Sequence, residues 1–560
     1  MSSRALALLC TMALGCDATP PTDPTVFQGE TNAPVVVGRL PETRLAEPKA
    51  APLAIVPASD PSTSSRPERT LGTSPLEQTT AGEPSAPLMT STVSPTPPTL
   101  RSGPVTAAQR EMAQEIQKQV SCLRGLSFRE DVAVEFQSLD DFRAFVQAEL
   151  AREENSPRGR SERRLLKAVG LIGYDDDLAT MMERATLEQA AAYYDPTKNT
   201  FYIVKEMPDI MLRATMAHEL QHALQDQHSK ALDAYTKGAF KTLDAGLAAR
   251  FVVEGEASLV GNAWMLLTAA GIPMLGGVMP SPCGEGPSAN RDRAMFWSSL
   301  REMTIDIAGQ TRAAVQNPGI VERLLTQALS PSVAESMRML DSLPNFAYYT
   351  LVPPYTFGSF SMYKVLESKG WKWSGVDRLF ERMPATTAEV LHPAKLLKGV
   401  RYSTPQLWKP SEHPFATKGW RVDPRDQVGE LGLRIVLMNG GAEERAAKRA
   451  AQGWNGDSVQ VWTRRKGVAE FLAYDWNLRV ADPAQATTLK HSIWSALERR
   501  RGELDLLGEV SPLDGSSGLL VFAYTGHQNQ RRFGRMAWSP AGVVLSEGWL
   551  QPPKGVEVLP

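Results

Sequence analysis

The sequence predicts an α+β fold, in which a mainly helical region is followed by a smaller region that mixes helices and strands. Apolar residues recur at helical spacing through most of residues 105–400. From about residue 426 the pattern changes to short apolar segments separated by turn residues, which is typical of strands. We therefore expect a larger domain at 105–410 and an α+β accessory domain at 426–560, joined by a linker rich in Pro, Trp and charge.

The individual elements follow from the same periodicity. The helices of the larger domain each carry an apolar face and are expected at 107–123, 139–153, 178–192, 209–228, 245–269, 294–308 and 361–368. Its two strands, at 132–136 and 201–204, are expected to form a small sheet beside the helix at 209–228. The accessory domain is expected to hold helices at 442–452 and 484–500, and strands at 458–463, 470–475, 519–524, 535–538 and 543–546.

The helix at 209–228 carries the most informative residues of the chain, His218, Glu219 and His222. Two histidines four residues apart project from the same face of a helix, so both imidazoles can bind one zinc ion. Glu219 lies next to the first histidine, where its carboxylate can reach a water on the metal, as metal-assisted amide hydrolysis requires. Satisfied core histidines are the alternative, and they explain the adjacent glutamate poorly.

The third ligand is expected from an apolar run that contains Glu254 and Glu256. A buried carboxylate is costly unless it is paired or bound to a metal. The two residues are two positions apart, so on a helix they point about 200° away from each other, and only one can face the metal. The alternative is that both lie on a partly exposed helix surface.

Two segments carry a resemblance to a known family. Residues 217–226 resemble the zinc helix of thermolysin-like gluzincins, and residues 253–257 resemble the glutamate-ligand segment of the gluzincin aminopeptidases. The resemblance implies a zincin-like metallopeptidase domain at 105–410 with one Zn²⁺ per chain. It also implies that Glu254, and not Glu256, is the third ligand. The expected function is then hydrolysis of peptide bonds in a peptide or protein substrate, with Glu219 as the general base.

The chain also resembles a group of uncharacterised bacterial secreted or lipoprotein metallopeptidase-like proteins. The shared features are residues 194–198, Gly358, residues 391–393 and residues 453–457. One departure from the thermolysin-like pattern is Ser258, which stands where those enzymes carry an aspartate that orients a zinc histidine. Asp226 is the expected substitute in that second shell, or else a solvated helix residue.

Tyr355 and His392 are candidate donors to the oxyanion, because both lie in segments that look like loops, and both can equally be structural. Two other functions stay open. One alternative is an aminopeptidase, which needs an acidic anchor for the substrate amine, and the other is a non-catalytic zinc-binding lipoprotein that binds a partner. Glu219 favours an enzyme, since a structural site has no use for a carboxylate there.

The amino terminus predicts export. Arg4 precedes an apolar stretch at 5–14 that is too short to span a bilayer, and residues 1–16 resemble a lipoprotein signal peptide with Cys16 as the lipidated residue. Ordinary secretion is the alternative. Residues 17–104 are rich in Pro, Thr and Ser and are expected to form a disordered tether. The protein is therefore expected at a bacterial membrane, on the periplasmic side or the cell surface, held by a lipid anchor.

Cysteine usage and charge complete these expectations. Cys122 and Cys283 remain after the leader, and in an oxidising compartment they are expected to form one disulfide, with two free buried thiols as the alternative. The formal net charge is −2, and no basic stripe with interleaved aromatic residues is present, which argues against nucleic acid binding. The apolar stretch at 259–279 contains Pro and several glycines, so a buried helix running into a loop is expected there rather than a membrane span.

Overall fold

The fold is α+β, as predicted, with helices around a three-stranded sheet and a second, seven-stranded sheet near the carboxyl end. The computed structural model describes residues 105–189, 192–205, 209–269, 281–284, 287–301, 304, 342–413, 415, 419–507 and 511–554. The predicted signal peptide, Cys16 and the tether at 17–104 lie outside the described residues, as does the second half of the helix predicted at 294–308.

The described helices of the first region are α1 to α13, numbered in chain order. They are α1 (Ala107–Arg124), α2 (Leu139–Glu154), α3 (Pro157–Val169), α4 (Leu178–Gln189), α5 (Asp209–His228), α6 (Ala231–Thr236), α7 (Leu243–Ala269), α8 (Ala289–Ser299), α9 (Asn345–Leu351), α10 (Pro353–Ser368), α11 (Ser374–Glu381), α12 (Thr387–Leu391) and α13 (Pro393–Lys398). None of these described helices combines the length and apolar character that crossing a bilayer requires.

Helices α5 and α7 form the centre of this region. α5 packs against α1 on one side and α7 on the other, and α10 packs along α7. Both central helices are lined with buried side chains, including Met216, Leu220 and Leu224 on α5 and Phe251 and Leu259 on α7. A helix that is buried around most of its circumference can carry polar side chains only where they are paired or bound.

The small sheet lies against α5. Its strands are β1 (Ala133–Phe136), β2 (Ala192–Asp195) and β3 (Thr200–Ile203), in the order β1-β3-β2. β1 pairs with β3 in parallel, and β2 pairs with β3 antiparallel through the turn that contains Asn199 at φ 49°. Strand β2 is therefore an edge strand, and it contacts α5.

The carboxyl-terminal region is a seven-stranded antiparallel sheet with three helices. The strands are β4 (Arg421–Val422), β5 (Trp454–Lys466), β6 (Ala469–Val480), β7 (Asp505–Leu506), β8 (Gly518–Gly526), β9 (Gln530–Ser539) and β10 (Gly542–Trp549), in the order β4-β5-β6-β10-β9-β8-β7. The helices are α14 (Gly429–Asn439), α15 (Glu444–Ala451) and α16 (Pro483–Arg501), and α16 packs across the sheet.

The predicted boundary between 410 and 426 lies between the two sheets, but the main hydrophobic core continues across it. One continuous hydrophobic core includes residues from both regions, from Met112 to Leu545. The carboxylate of Asp426 shows how the regions are joined, because it accepts a hydrogen bond from the backbone N–H of Leu243 at the start of α7, at 2.7 Å. An anion at this position satisfies an N–H group that has no partner within the helix.

Candidate metal centre

Three side chains from two helices meet in the buried interior. His218 and His222 come from α5, and Glu254 comes from α7. The two imidazole Nε2 atoms are 3.1 Å apart, and Glu254 Oε2 lies 3.7 Å from His218 Nε2 and 3.3 Å from His222 Nε2. All three residues are buried, and together they can hold a metal ion.

The local sequence explains this convergence. The histidines are four positions apart on α5, which is slightly more than one turn, so both rings leave the same face of the helix. That face of α5 packs against α7, and Glu254 lies on α7 with its side chain fully buried. Glu256 is also fully buried, but it contacts Arg124 and Gln225 rather than the histidines.

The pKa values of His218, His222 and Glu254 indicate a site at which a metal cation would replace a bound proton. Burial lowers the pKa of His218 to about 4. Burial alone would lower the pKa of His222 too, but the hydrogen bond and the charge of Glu254 outweigh it and raise that pKa to about 9. Burial alone would raise the pKa of Glu254, but its hydrogen bonds with the two histidines lower it to about 2. Without a metal, the cluster therefore holds a proton on His222 beside the Glu254 carboxylate, and metal binding must displace it.

Glu219 lies beside the cluster with only part of its carboxylate engaged. Its Oε2 accepts a hydrogen bond from the backbone N–H of Tyr194 at 3.0 Å, which fixes the side chain against edge strand β2. Its Oε1 is buried and has no hydrogen-bond partner among the described residues. Burial raises the pKa of Glu219 to about 8 when no metal is bound, and the positive charge of an ion held by the cluster would lower that pKa and favour the carboxylate form. A buried carboxyl oxygen without a partner is costly, so such a group is expected where it has a ligand or a reaction to serve.

Two glycines let α10 approach the metal centre closely. A Cβ on Gly255 would lie 2.3 Å from the carbonyl carbon of Gly358, and a Cβ on Gly358 would lie 2.3 Å from the carbonyl oxygen of Phe251. Only glycine permits this backbone contact. Gly358 is one of the residues on which the family resemblance rests, and its packing role is visible only when α7 and α10 are seen together.

The close approach brings Tyr355 to the metal ligands. Tyr355 lies in the first turn of α10, three residues before Gly358, and its ring centroid is 5.9 Å from that of His218. Its hydroxyl lies 3.5 Å from Nη2 of the buried Arg250, which is one turn before Glu254 on α7. The predicted loop at Tyr355 is wrong, because Pro353 and Pro354 occupy the first positions of a helix.

The hydrogen-bond partner of His222 is Gln225 rather than the expected Asp226. Gln225 Oε1 lies 2.8 Å from His222 Nδ1. Asp226 instead accepts a hydrogen bond from the Tyr194 hydroxyl at 2.9 Å. The reason is the direction of the two side chains, since Gln225 faces α7 and Asp226 faces β2.

His392 has a different position from the one expected of an oxyanion donor. It lies between α12 and α13, and its Nε2 is 2.9 Å from both carboxylate oxygens of the buried Glu430 on α14. Its imidazole therefore joins the two regions of the protein.

Cys122 and Cys283 are joined by a disulfide, with their Cα atoms 5.5 Å apart.

Comparisons with known proteins bear on the carboxyl-terminal region. A family model described as a domain of unknown function (DUF8575) matches residues 417–511. That segment runs from β4 to β7 and includes α14, α15 and α16, so it does not contain the metal ligands. No curated protein and no solved structure matches the chain.

Proposed function

We propose that the chain is a zinc-dependent peptidase in which His218, His222 and Glu254 hold the metal and Glu219 is the general base. The observation that carries the proposal is the spacing of the three donor atoms. Ligands at 2.0–2.1 Å from a tetrahedral ion are about 3.3 Å from one another. The three separations in the structure are 3.1, 3.3 and 3.7 Å, so the donors fit such an ion with little movement.

The donor set also favours a catalytic site over a structural one. Structural zinc sites use four protein ligands, whereas catalytic sites use three and leave one position for water. Among the described residues, the only cluster of metal-binding side chains is this set of two imidazoles and one carboxylate. Zinc bound by such a set lowers the pKa of its water to about 7 and polarises a carbonyl group.

The residues around the cluster have the chemistry that peptide hydrolysis needs. Glu219 would take the proton of the attacking water on Oε1, which has no hydrogen-bond partner among the described residues, and would deliver that proton to the leaving amine. Its second oxygen stays on the Tyr194 N–H, which keeps the carboxylate directed at the same point throughout. The Tyr355 hydroxyl donates to the oxyanion, and the charge of Arg250 beside it strengthens that donation.

Two observations argue against the alternative functions, an aminopeptidase and a non-catalytic metal protein. An aminopeptidase needs a free acidic group near the metal for the substrate amine. Glu256 is the nearest candidate in sequence, but it is engaged by Arg124 and by Gln225, which favours an endopeptidase. A non-catalytic metal protein would leave the buried Glu219 without a role. Export, lipid anchoring through Cys16 and the role of the accessory region stay predictions.

The test is cleavage of a peptide library by the zinc-loaded full chain, compared with its Glu219→Gln and Glu115→Gln variants. Glu115 lies on the exposed face of α1 and serves as the matched control. We expect the wild type and Glu115→Gln to cleave at similar rates. Glu219→Gln should keep its zinc and lose about 10²- to 10⁴-fold in rate, which is the usual contribution of a general base. Equal cleavage by Glu219→Gln and the wild type, with zinc bound to both, would exclude the mechanism.

A further inference from the structure

A continuous chain of buried hydrogen bonds leads away from the metal centre. It begins at His222, passes through the Gln225 amide to the Glu256 carboxylate, and ends at the guanidinium of Arg124. These four residues are each less than 5% exposed. They come from α5, α7 and α1, so the chain joins the three helices that surround the ligands.

The partners of Gln225 determine which way its amide faces. Its Nε2 lies 2.9 Å from the carbonyl oxygen of Val253 and 2.8 Å from Glu256 Oε2. Both partners accept hydrogen bonds and cannot donate, since Glu256 is a carboxylate paired with a guanidinium. The amino group of Gln225 must therefore face them, and its carbonyl oxygen must face His222.

This orientation has a consequence for the metal ligand. A carbonyl oxygen only accepts, so His222 must carry its proton on Nδ1, which lies 2.8 Å away. The lone pair of the neutral imidazole is then on Nε2, the atom that faces His218 and Glu254. A metal ion needs the lone pair at that position.

The far end of the chain is held by Arg124, the last residue of α1. Besides Glu256, its guanidinium donates to Asp377 at 2.6 Å and lies 4.5 Å from the ring centroid of Trp373. Cys122, two residues earlier, is in the disulfide with Cys283. Arg124 is thus fixed from three directions, and its fixed guanidinium keeps the Glu256 carboxylate directed at Gln225.

We propose that Gln225 is a positioning residue for the metal, which sets the tautomer and ring orientation of His222, and that the Arg124–Glu256 pair sets the orientation of Gln225. The inference rests on the proposed zinc centre, but not on peptide hydrolysis. An amide, held by a distant ion pair, performs here the task for which the sequence suggested the carboxylate of Asp226.

Two variants test this series of hydrogen bonds at different points. Gln225→Met keeps the length of the side chain and removes its hydrogen bonds. Glu256→Gln replaces one acceptor by a donor, which favours a flipped Gln225 amide that donates to His222 and moves the imidazole proton to Nε2. Both should weaken zinc binding by about 10- to 100-fold, the usual effect of losing such a partner. Gln221→Met is the control, because Gln221 is equally buried on α5 and its Oε1 has no hydrogen bond to a described residue.

The measurements are zinc affinity, by competition with a chromophoric chelator, and proton NMR of the cobalt-substituted full chain. We expect the wild type and Gln221→Met to bind one zinc equally tightly and to show a slowly exchanging Nδ1–H signal from His222. Gln225→Met should lose that signal while its unfolding midpoint without metal matches that of the control.

The outcomes separate the two claims. A wild type that binds no zinc overturns the metal centre and this inference with it. A wild type that binds zinc, beside Gln225→Met and Glu256→Gln variants that bind it equally tightly, overturns only the positioning role. The same conclusion follows if the Nδ1–H signal of His222 survives in Gln225→Met.

Discussion

Replacing Gly358 by alanine tests how the metal centre is assembled. The new Cβ would lie 2.3 Å from the Phe251 carbonyl oxygen and 2.9 Å from the Cα of Gly255. Both are backbone atoms of α7 and cannot rotate away. Because non-bonded heavy atoms prefer separations near 3.5 Å, α10 must move away from α7 by about 1 Å.

The size of the effect follows from two opposing contributions. Overpacking of this kind costs typically about 1–3 kcal/mol, and the backbone contact places Gly358→Ala near the upper end. Alanine in a helix offsets about 1 kcal/mol of this, so we expect a net loss of about 2 kcal/mol in the free energy of unfolding. The same movement shifts Tyr355 relative to His218, and a misplacement of about 1 Å should lower kcat/KM by about 10²-fold.

The matched control is Gly246→Ala on α7, the helix against which α10 packs. A Cβ there would come no closer than 4.0 Å to the Cβ of Phe240, which is an ordinary contact. Gly246→Ala should therefore be neutral or gain up to about 1 kcal/mol. Denaturant unfolding of both variants should separate them by about 3 kcal/mol. If Gly358→Ala is as stable as Gly246→Ala and cleaves peptide normally, the close approach of the two helices is not what positions Tyr355.

Three further predictions concern other parts of the structure. Tyr355→Phe should keep its zinc affinity and lose about 10²- to 10³-fold in kcat, and an unchanged kcat would remove the hydroxyl from the mechanism. Replacing Cys122 and Cys283 by serine should lower the free energy of unfolding by up to about 5 kcal/mol, as expected for a separation of 161 residues, and an unfolding midpoint that does not change would contradict this. Glu430→Gln should cost about 3–5 kcal/mol at pH 7, because it removes the charge of a buried carboxylate that is paired with Arg434 and with His392. Burial alone would raise the pKa of Glu430, but the hydrogen bond with His392 and the charge of Arg434 lower it. The stability difference between the wild type and Glu430→Gln should therefore shrink as the pH falls below about 4.5. A difference that grows there would refute the pairing of Glu430 with His392 and Arg434.

The candidate metal ligands can be predicted from the sequence because the geometry of two of them is local. The spacing of His218 and His222 fixes their shared face on one helix, and the predicted bounds of that helix, 209–228, are those of α5. Glu254 lies on a second helix, and its choice as the third ligand follows from the family resemblance. The same two helices place Glu254 beside the histidines.

The surrounding network could not be predicted in the same way. Arg124 and Glu256 are 132 residues apart, and no pattern in the sequence joins them. Tyr355 looked like a loop residue because two prolines precede it, although proline is also common in the first turn of a helix. The charge of Asp226 favours it in the sequence, whereas the partner of His222 is an uncharged amide whose orientation depends on two distant acceptors on α7, the Val253 carbonyl and the Glu256 carboxylate.

The rest of the fold shows where periodicity is informative and where it is not. Helix α3 was missed because most of its residues are charged or polar and its apolar stripe is narrow, although Ser156 and Gly170 at its ends are typical caps. The strands of the seven-stranded sheet were predicted too short. β5 and β6 extend to Lys466 and Ala469, where the polar ends of the hairpin carry no apolar alternation.

X-ray absorption at the zinc edge, recorded on the zinc-loaded full chain, tests the metal centre most directly. We expect one zinc per chain with nitrogen and oxygen ligands only, at about 2.0–2.1 Å. The imidazole scattering should weaken in His222→Ala, and zinc should be lost from Glu254→Ala. Sulfur in the coordination shell, or a spectrum unchanged by both substitutions, would show that the ion binds elsewhere.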